Sequence, residues 1–202
     1  MSRPTNAKEK LLAAALDLIW RNSYGSTSVD QLCAAAGVVK GSLYHFFKSK
    51  SELAIAALDA NWKEKQVVMN EIFSPVVPPL ERLERLFALG LDIQTSMKAD
   101  KGCVCGCPWF TLGSEMGTQD EAIRKWIATT LEKYSKYFEA AIRDAHSQGL
   151  IHAPDAKTTA KIVMQFMHGA LMEARINNDL APIAGLDAGV KAILGVRGLE
   201  PA

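Results

Sequence analysis

Three cysteines that alternate along one short segment are the residues most able to do chemistry in this chain. Cys103, Cys105 and Cys107 follow Gly102 and precede Pro108, so we predict a loop that leads into a helix starting near the proline. If the loop is extended, residues i, i+2 and i+4 point to one side, and three sulfurs could converge. They could be small buried hydrophobic groups, thiols that react with electrophiles or oxidants, or ligands of a soft metal such as Cu(I).

The rest of the sequence offers no catalytic or cofactor-binding pattern to accompany these thiols. Structural zinc takes four ligands, and no histidine lies near the loop in sequence. We find no Gly-rich phosphate loop, nucleophile elbow or paired metal-binding histidines, and no Cys-x-x-Cys beside a strand–helix pattern. We therefore expect neither catalysis nor a bound cofactor, and we assign no metal ligands.

Helices must position these residues, because apolar residues recur at helical spacing along most of the chain. No internal repeat, low-complexity tract or strand-like alternation is present. Prolines between Ser74 and Pro79 interrupt the pattern and mark the clearest domain boundary. The predicted fold is all-α, with about nine helices at about 7–22, 29–36, 40–46, 50–73, 80–97, from 108 onward, 119–147, 156–177 and 186–194.

Two short helices joined by a tight glycine turn are predicted between Ser28 and Phe46. Ser28 followed by Gln31 is a capping box that starts the first of them. Gly37 ends it, because a left-handed residue at a helix end costs least for glycine. The second helix runs from about Lys40 to Phe46. Such a pair is typical of a helix-turn-helix, whose second helix enters the DNA major groove.

Three segments carry a resemblance to a known family. Lys10–Leu18 is KLLAAALDL, Tyr24–Val29 is YGSTSV, and Ala36–Leu53 is AGVVKGSLYHFFKSKSEL. Together they resemble the N-terminal domain of TetR-family transcriptional regulators. The resemblance implies a three-helix DNA-binding head at residues 1–50, linked by a helix of about 50–73 to a larger helical body at 51–202. It also implies an all-helical homodimer and repression that a small molecule relieves.

The predicted DNA contacts lie on this head. A hydroxyl or N–H group at a helix start is a natural phosphate contact, glycine lets the backbone approach DNA closely, and Lys50 is expected to clamp a phosphate. Tyr44 resembles the family's phosphate-contacting tyrosine. Arg3, in a polar N-terminal arm, could reach a minor groove. The predicted set is Thr27, Ser28, Lys40, Gly41, Ser42, Tyr44, His45 and Lys50.

A second resemblance concerns the cysteine segment. Gly102-Cys103, with Leu112–Met116 downstream, resembles the Gly-Cys…Leu-Ser-x-Glu pattern of a TetR subgroup. That subgroup includes the N-ethylmaleimide-reductase repressor, which senses electrophiles through the cysteine at this position. The resemblance therefore implies thiol sensing at Cys103. Cys105 and Cys107 depart from the pattern and inherit no role.

An organic effector is the alternative to thiol chemistry. Helical bundles build ligand sites between helices, and aromatic and sulfur-containing side chains often line them. The same residues could equally form the hydrophobic core. The candidates are Trp109, Phe110, Trp126, Met164 and His168.

The overall charge of +1 conceals an asymmetry between the two ends of the chain. Residues 1–50 hold seven basic and three acidic residues, a balance of +4, and residues 51–202 hold 16 basic and 19 acidic residues, a balance of −3. A positive head on a slightly acidic body suits a protein that meets phosphates at one end. Operator DNA is therefore the expected macromolecular partner.

Composition predicts a folded, cytoplasmic protein. Apolar residues make up 49% of the 202 residues and charged residues 22%, enough to bury a core and stay soluble. No window approaches a membrane span and no signal peptide precedes the first helix. The four cysteines are expected to be reduced in that compartment.

The helix predicted at 156–177 is apolar around much of its girth. A helix of that kind should be buried on two sides, one against its own chain and one against a partner. The family resemblance implies that the last two helices form a homodimer interface. A dimer would also place two DNA-binding helices in successive major grooves, about 34–36 Å apart.

Overall fold

The protein is described by a computed structural model over residues 5–196, and in that part of the chain every regular element is helical. Ten helices follow one another: α1 (Thr5–Asn22), α2 (Val29–Ala36), α3 (Lys40–Phe46), α4 (Lys50–Ile72), α5 (Pro79–Lys101), α6 (Pro108–Met116), α7 (Glu121–Ser147), α8 (Ala156–Asn177), α9 (Ala181–Ala184) and α10 (Leu186–Leu194). None of them, within the described residues, is long and apolar enough to cross a membrane. The arm that contains Arg3 lies outside the described residues.

The all-α prediction is confirmed, and the number of helices and the end of one helix need correction. The expected nine helices are ten, because α9 forms a single short turn around Pro182 that apolar periodicity could not reveal. Helix α5 continues four residues beyond Met97 to Lys101, where Gly102 at φ 75° ends it in the left-handed conformation that suits glycine. The helix-capping signals at the two ends of α2 are formed as predicted. The Ser28–Gln31 capping box is formed, and Gly37 caps α2 at φ 64°.

Packing divides the chain into two units, each of which is described by itself. The head unit contains the residues up to Lys65 and Cys107–Thr130, and the body unit contains Gln66–Gly106 and the residues from Leu131 onward. Helices α4 and α7 therefore contribute residues to both units. The boundary between Gly106 and Cys107 falls inside the cysteine segment.

The head unit is a small cluster of helices in which α1 packs against α2, α3 and α6. Its core includes fully buried aliphatic side chains beside buried aromatic rings such as Trp62 and Trp109. Burying each leucine contributes roughly 1.5–3 kcal/mol relative to exposure, which lets helices as short as α2 and α3 persist. The fully buried aliphatic residues include Leu11, Ala15, Leu32, Leu43 and Leu53.

The body unit surrounds a buried arginine with its own apolar core. Arg82 donates from Nη1 to Asp144 Oδ2 at 2.6 Å and from Nε to the Val77 carbonyl at 2.8 Å. A buried charge is tolerated only when it is paired and hydrogen-bonded in this way. Arg82 thus ties the turn before α5 to α7. The apolar core around it includes Met69, Phe138, Ile142, Val163 and Val190.

Candidate nucleic-acid interface and effector site

The predicted DNA-binding helix presents polar groups to solvent and keeps one leucine inside. Leu43 is fully buried, whereas the Tyr44 side chain is 54% exposed. Lys40, Gly41 and His45 are also exposed, and Ser42 is half-buried. The residues of α3 expected to contact DNA therefore share the accessible part of the helix.

Two of the expected phosphate contacts face inward instead. Thr27 is only 1% exposed, and its hydroxyl donates to the Ser23 carbonyl at 2.7 Å. Lys50 Nζ donates to the carbonyls of Tyr24 (2.7 Å) and Thr27 (2.8 Å) and lies 3.9 Å from the centre of the Tyr24 ring. Both side chains hold the connection between α1 and α2, so we do not retain them as phosphate contacts.

An exposed apolar side chain stands beside the predicted contacts and was missed by the sequence reasoning. Val39 is 72% exposed and is the N-cap of α3, without a side-chain cap hydrogen bond. N-cap positions favour Ser, Thr, Asp or Asn. A valine at this position was therefore the sequence feature that could have marked it as a candidate DNA contact. Apolar side chains contact the thymine methyl group in the major groove.

An ion pair joins the two helices of the motif at the surface. Lys40 Nζ lies 2.8 Å from Asp30 Oδ1, with both side chains more than half exposed. The hydrogen bond that Lys40 donates to Asp30, together with the negative charge of that carboxylate, raises the pKa of Lys40. Exposed pairs of this kind contribute little to stability, which leaves Lys40 available to exchange its partner.

The carboxylate of Glu115 on α6 accepts two backbone hydrogen bonds from the turn that precedes the DNA-binding motif. Its Oε2 accepts the Tyr24 N–H at 2.9 Å, and its Oε1 accepts the Gly25 N–H at 2.6 Å. A Cβ on Gly25 would come within 2.9 Å of that Oε1, so a side chain there would push the Glu115 carboxylate back. We call this contact, together with Lys50 on the Tyr24 carbonyl, the α6 clasp.

The other end of α6 begins at the cysteine segment. Cys107 is the N-cap residue and Pro108 opens the helix. Trp109 packs edge-on against Trp62 at 5.3 Å between ring centroids, and Lys65 Nζ lies 5.0 Å from its ring. Burial raises the pKa of Cys107, with Lys65 opposing the rise.

In the body unit, three side chains hold the backbone of residues 102–106. Gln94, only 3% exposed, accepts the N–H groups of Cys105 (2.8 Å) and Gly106 (2.9 Å) and donates to the Gly106 carbonyl at 3.0 Å. Asn178 accepts the Val104 N–H at 2.9 Å and donates to the carbonyl of residue 102 at 3.1 Å. Arg175 donates to the Cys105 carbonyl at 2.6 Å. A Cβ on Gly106, at φ +68°, would meet the Leu171 carbonyl.

Two of the three clustered thiols lie next to each other. Cys103 Sγ and Cys105 Sγ are 3.7 Å apart, with Cys103 half-buried and Cys105 only 1% exposed. Burial and the contact with Cys103 raise the pKa of Cys105 to about 11. Cys107 belongs to the head unit, and Cys33 is buried inside the head.

The residues expected to line an organic-effector pocket are distributed over both units. Trp109, Phe110 and Trp126 belong to the head unit, and Met164 and His168 belong to the body unit. Trp109, Met164 and His168 are buried. A groove of about 390 Å³ in the body unit has other residues as its lining: Glu84, Phe87, Ala88, Leu91, Ile183, Ala184, Asp187 and Lys191.

Helices α8 and α10 leave apolar side chains uncovered in the body unit. The Phe166 ring on α8 occupies the space that a Cβ on Gly189 of α10 would need, so these two helices approach closely. The exposed apolar residues on these helices are Ile162, Phe166, Ile176 and Ile193.

Both parts of the chain match known protein families. The model for bacterial regulatory proteins of the tetR family matches residues 11–57, and the model for the tetracyclin repressor-like C-terminal domain matches residues 79–188. An uncharacterised helix-turn-helix transcriptional regulator of Lactococcus lactis is 30% identical over 87% of this chain and 86% of its own. The transcriptional repressor NemR of Escherichia coli is 24% identical over 94% of each chain. The crystal structure of a regulatory protein TetR from Rhodobacter sphaeroides is similar with a TM-score of 0.81 at 25% identity, covering 93% of this chain and 98% of that one.

Proposed function

The chain belongs to the TetR family of bacterial regulatory proteins, and from this premise we propose that it is a homodimeric repressor released from its operator through the cysteine segment. Its relatives are named as transcriptional regulators and repressors, which supports regulation of transcription rather than catalysis. Release by an organic small molecule, a soft-metal-responsive or redox-responsive regulator, and an activator are the alternatives.

Operator contact is assigned to the accessible part of α3 and to the residues beside it. Tyr44 and Lys40 would contact phosphates and so fix the register, since phosphate contacts position a protein on the duplex. Val39 would add an apolar contact to a base edge. The remaining members of the proposed set are Ser28, Gly41, Ser42 and His45.

Dimerisation is assigned to α8 and α10. Their close approach at Gly189 and their exposed isoleucines and Phe166 support a continuous apolar surface. A second copy would remove this surface from water at about 25 cal/mol per Å² of apolar area. The dimer would place two copies of α3 in successive major grooves.

The α6 clasp is the observation that carries the proposed release mechanism. Helix α6 starts directly after the cysteine segment and, at its other end, holds Tyr24 and Gly25 through Glu115. A displacement of α6 must therefore move that turn or break two charge-assisted hydrogen bonds. An effector that prefers the displaced state would shift the population away from the DNA-binding one.

The DNA-binding part of the proposal is tested by salt-dependent binding. Fluorescence anisotropy would use DNA from upstream of the protein's own gene, and selection from random duplexes would widen the search. Lys40→Ala should weaken binding and reduce the slope of log K against log salt by about one, because one phosphate contact is lost. Lys136→Ala is the matched control, since Lys136 forms a similar exposed ion pair with Glu139 on the body unit.

Three results would contradict parts of the proposal. A folded Lys40→Ala variant with the wild-type salt slope would remove Lys40 from the interface. Failure to select any specific duplex would refute sequence-specific binding altogether. A promoter reporter that loses expression when the protein is deleted would identify an activator rather than a repressor.

A further inference from the structure

The Cys103–Cys105 pair has the form of a two-sulfur site with one open side. The two Sγ atoms are 3.7 Å apart, and Cys105 Sγ also lies 3.8 Å from the Cys103 carbonyl oxygen. Cys103 is half-buried, and Cys105 is buried behind it. A reagent would therefore reach Cys103 first. The Sγ atom of Cys105 would then be close enough for a single atom to bond to both sulfurs.

The distance favours a bridging atom over a disulfide. A disulfide requires the sulfurs to approach to about 2.05 Å, a movement of about 1.7 Å with only Val104 between the two residues. The backbone is held against this movement by Gln94, Asn178 and Arg175. By contrast, two bonds of about 2.3 Å, the usual length from sulfur to a soft centre, meet across 3.7 Å at an angle of about 107°.

The angle and the lack of further ligands restrict the bridging atom. A linear two-coordinate ion would require the sulfurs to separate to about 4.6 Å, twice the same bond length. A tetrahedral metal would need two more ligands, and among the described residues no group of three or more His, Cys, Asp or Glu side chains could hold one. Trivalent arsenic that carries one organic substituent is pyramidal and takes just two sulfurs.

We propose that Cys103 and Cys105 form a dithiol site for monosubstituted trivalent arsenicals. Cys103 Sγ forms the first As–S bond, and its proton converts the oxide oxygen on arsenic into a hydroxyl. Cys105 Sγ forms the second As–S bond, and the hydroxyl leaves with the Cys105 proton as one water molecule. Arsenic stays trivalent and neither sulfur is oxidised, so no oxidant is needed.

Any effect of this adduct on DNA binding rests on the proposed function. The closed ring lies two residues from Cys107, where α6 begins, so strain in the ring would reach the α6 clasp along the chain. Formation of the adduct itself depends only on the two thiols. Experiments can therefore disprove binding of the arsenical and its effect on DNA binding independently of each other.

The site is tested with phenylarsine oxide on the full-length protein. Intact-mass measurement should show one arsenical per chain in wild type and in Cys33→Ala, the control for a cysteine in the head. Cys103→Ser and Cys105→Ser should each bind at least roughly 100-fold more weakly, since closure of the second bond is intramolecular. A dithiol such as 1,2-ethanedithiol should remove the adduct from wild type, and a monothiol at the same thiol concentration should not.

Wild-type footprinting makes the test independent of how the serine variants fold. Iodoacetamide would be added in urea, where burial no longer limits its access to Cys105, and the arsenical should protect Cys103 and Cys105 but not Cys107. Equal binding by the serine variants, or protection of Cys107 in place of Cys105, would overturn the site. An adduct at the predicted pair that leaves DNA affinity unchanged would keep the site and contradict the release mechanism.

Discussion

Replacing Gln94 with methionine should destabilise the protein strongly, although the side chain changes little in volume. Gln94 is 3% exposed and makes three hydrogen bonds to the backbone of residues 105 and 106. Methionine would leave two N–H groups and one carbonyl without that partner, and an unsatisfied buried group costs about 1–3 kcal/mol. Allowing for partial relaxation of the loop, we expect a loss of about 3–5 kcal/mol in the free energy of unfolding.

Urea denaturation followed by circular dichroism measures this loss. For a chain of this size it corresponds to a fall in Tm of about 6–20 °C. Gln148→Met is the matched control, because Gln148 is exposed and should change stability by no more than about 0.5 kcal/mol. A loss below about 1 kcal/mol for Gln94→Met, with an unchanged m-value, would refute the view that Gln94 holds the cysteine segment.

Three further perturbations follow from individual contacts. Arg82→Met should cost about 2–4 kcal/mol of unfolding free energy, since the Val77 carbonyl loses its donor and Asp144 loses its 2.6 Å contact with Arg82. Calorimetry should show part of this loss restored in the double variant with Asp144→Leu, and full additivity would contradict the pairing. Asp30→Asn should raise operator affinity about threefold in low salt and less in high salt. The substitution releases Lys40 from its ion pair and removes a negative charge near the DNA phosphates. Anisotropy that shows no gain in affinity at low salt would contradict this role. The pKa of Cys105 is raised in the folded protein from 9.0 to about 11, so its contribution to stability is complete below pH 9 and is lost as pH rises through 11. Urea midpoints should therefore fall more steeply over pH 9–11 in wild type than in Cys105→Ala, and parallel curves would contradict the assignment.

Signals that act within one turn of helix were predictable from the sequence. The capping box at Ser28, the left-handed Gly37 and the proline start of α6 each depend on residues at most three positions apart. The bounds of α8 and α10 followed from long apolar patterns. Helix α9 was not predicted, because four residues are too few to show a helical period of apolar residues.

The partners that hold the site were not predictable, because they are distant in sequence. Glu115 reaches Tyr24 across 91 positions, and Asn178 reaches Val104 across 74. Neither Glu115 nor Asn178 lies at a sequence spacing from its partner that a local pattern could reveal. Lys50 was predicted to contact DNA because it is basic and near the motif, yet it donates to the carbonyls of Tyr24 and Thr27 and lies over the Tyr24 ring.

The division into a head of residues 1–50 and a body of residues 51–202 stays a prediction about which part binds DNA. Packing groups the chain differently, since α6 and the first part of α7 join the head unit. That grouping follows from long-range contacts such as Glu115 on Gly25, which no local composition shift reports. It places the start of α6 and its clasp in the same unit as the DNA-binding motif.

The most direct test of the account is the change in operator affinity on thiol modification, compared between wild type and Glu115→Ala. Both proteins would be measured by fluorescence anisotropy before and after reaction with N-ethylmaleimide, with peptide mass mapping to confirm equal modification at Cys103. The α6 clasp predicts that modification weakens wild-type binding by about 5–150-fold, a coupling of roughly 1–3 kcal/mol, and that Glu115→Ala loses most of this ratio. An equal ratio in the two proteins would contradict transmission through α6.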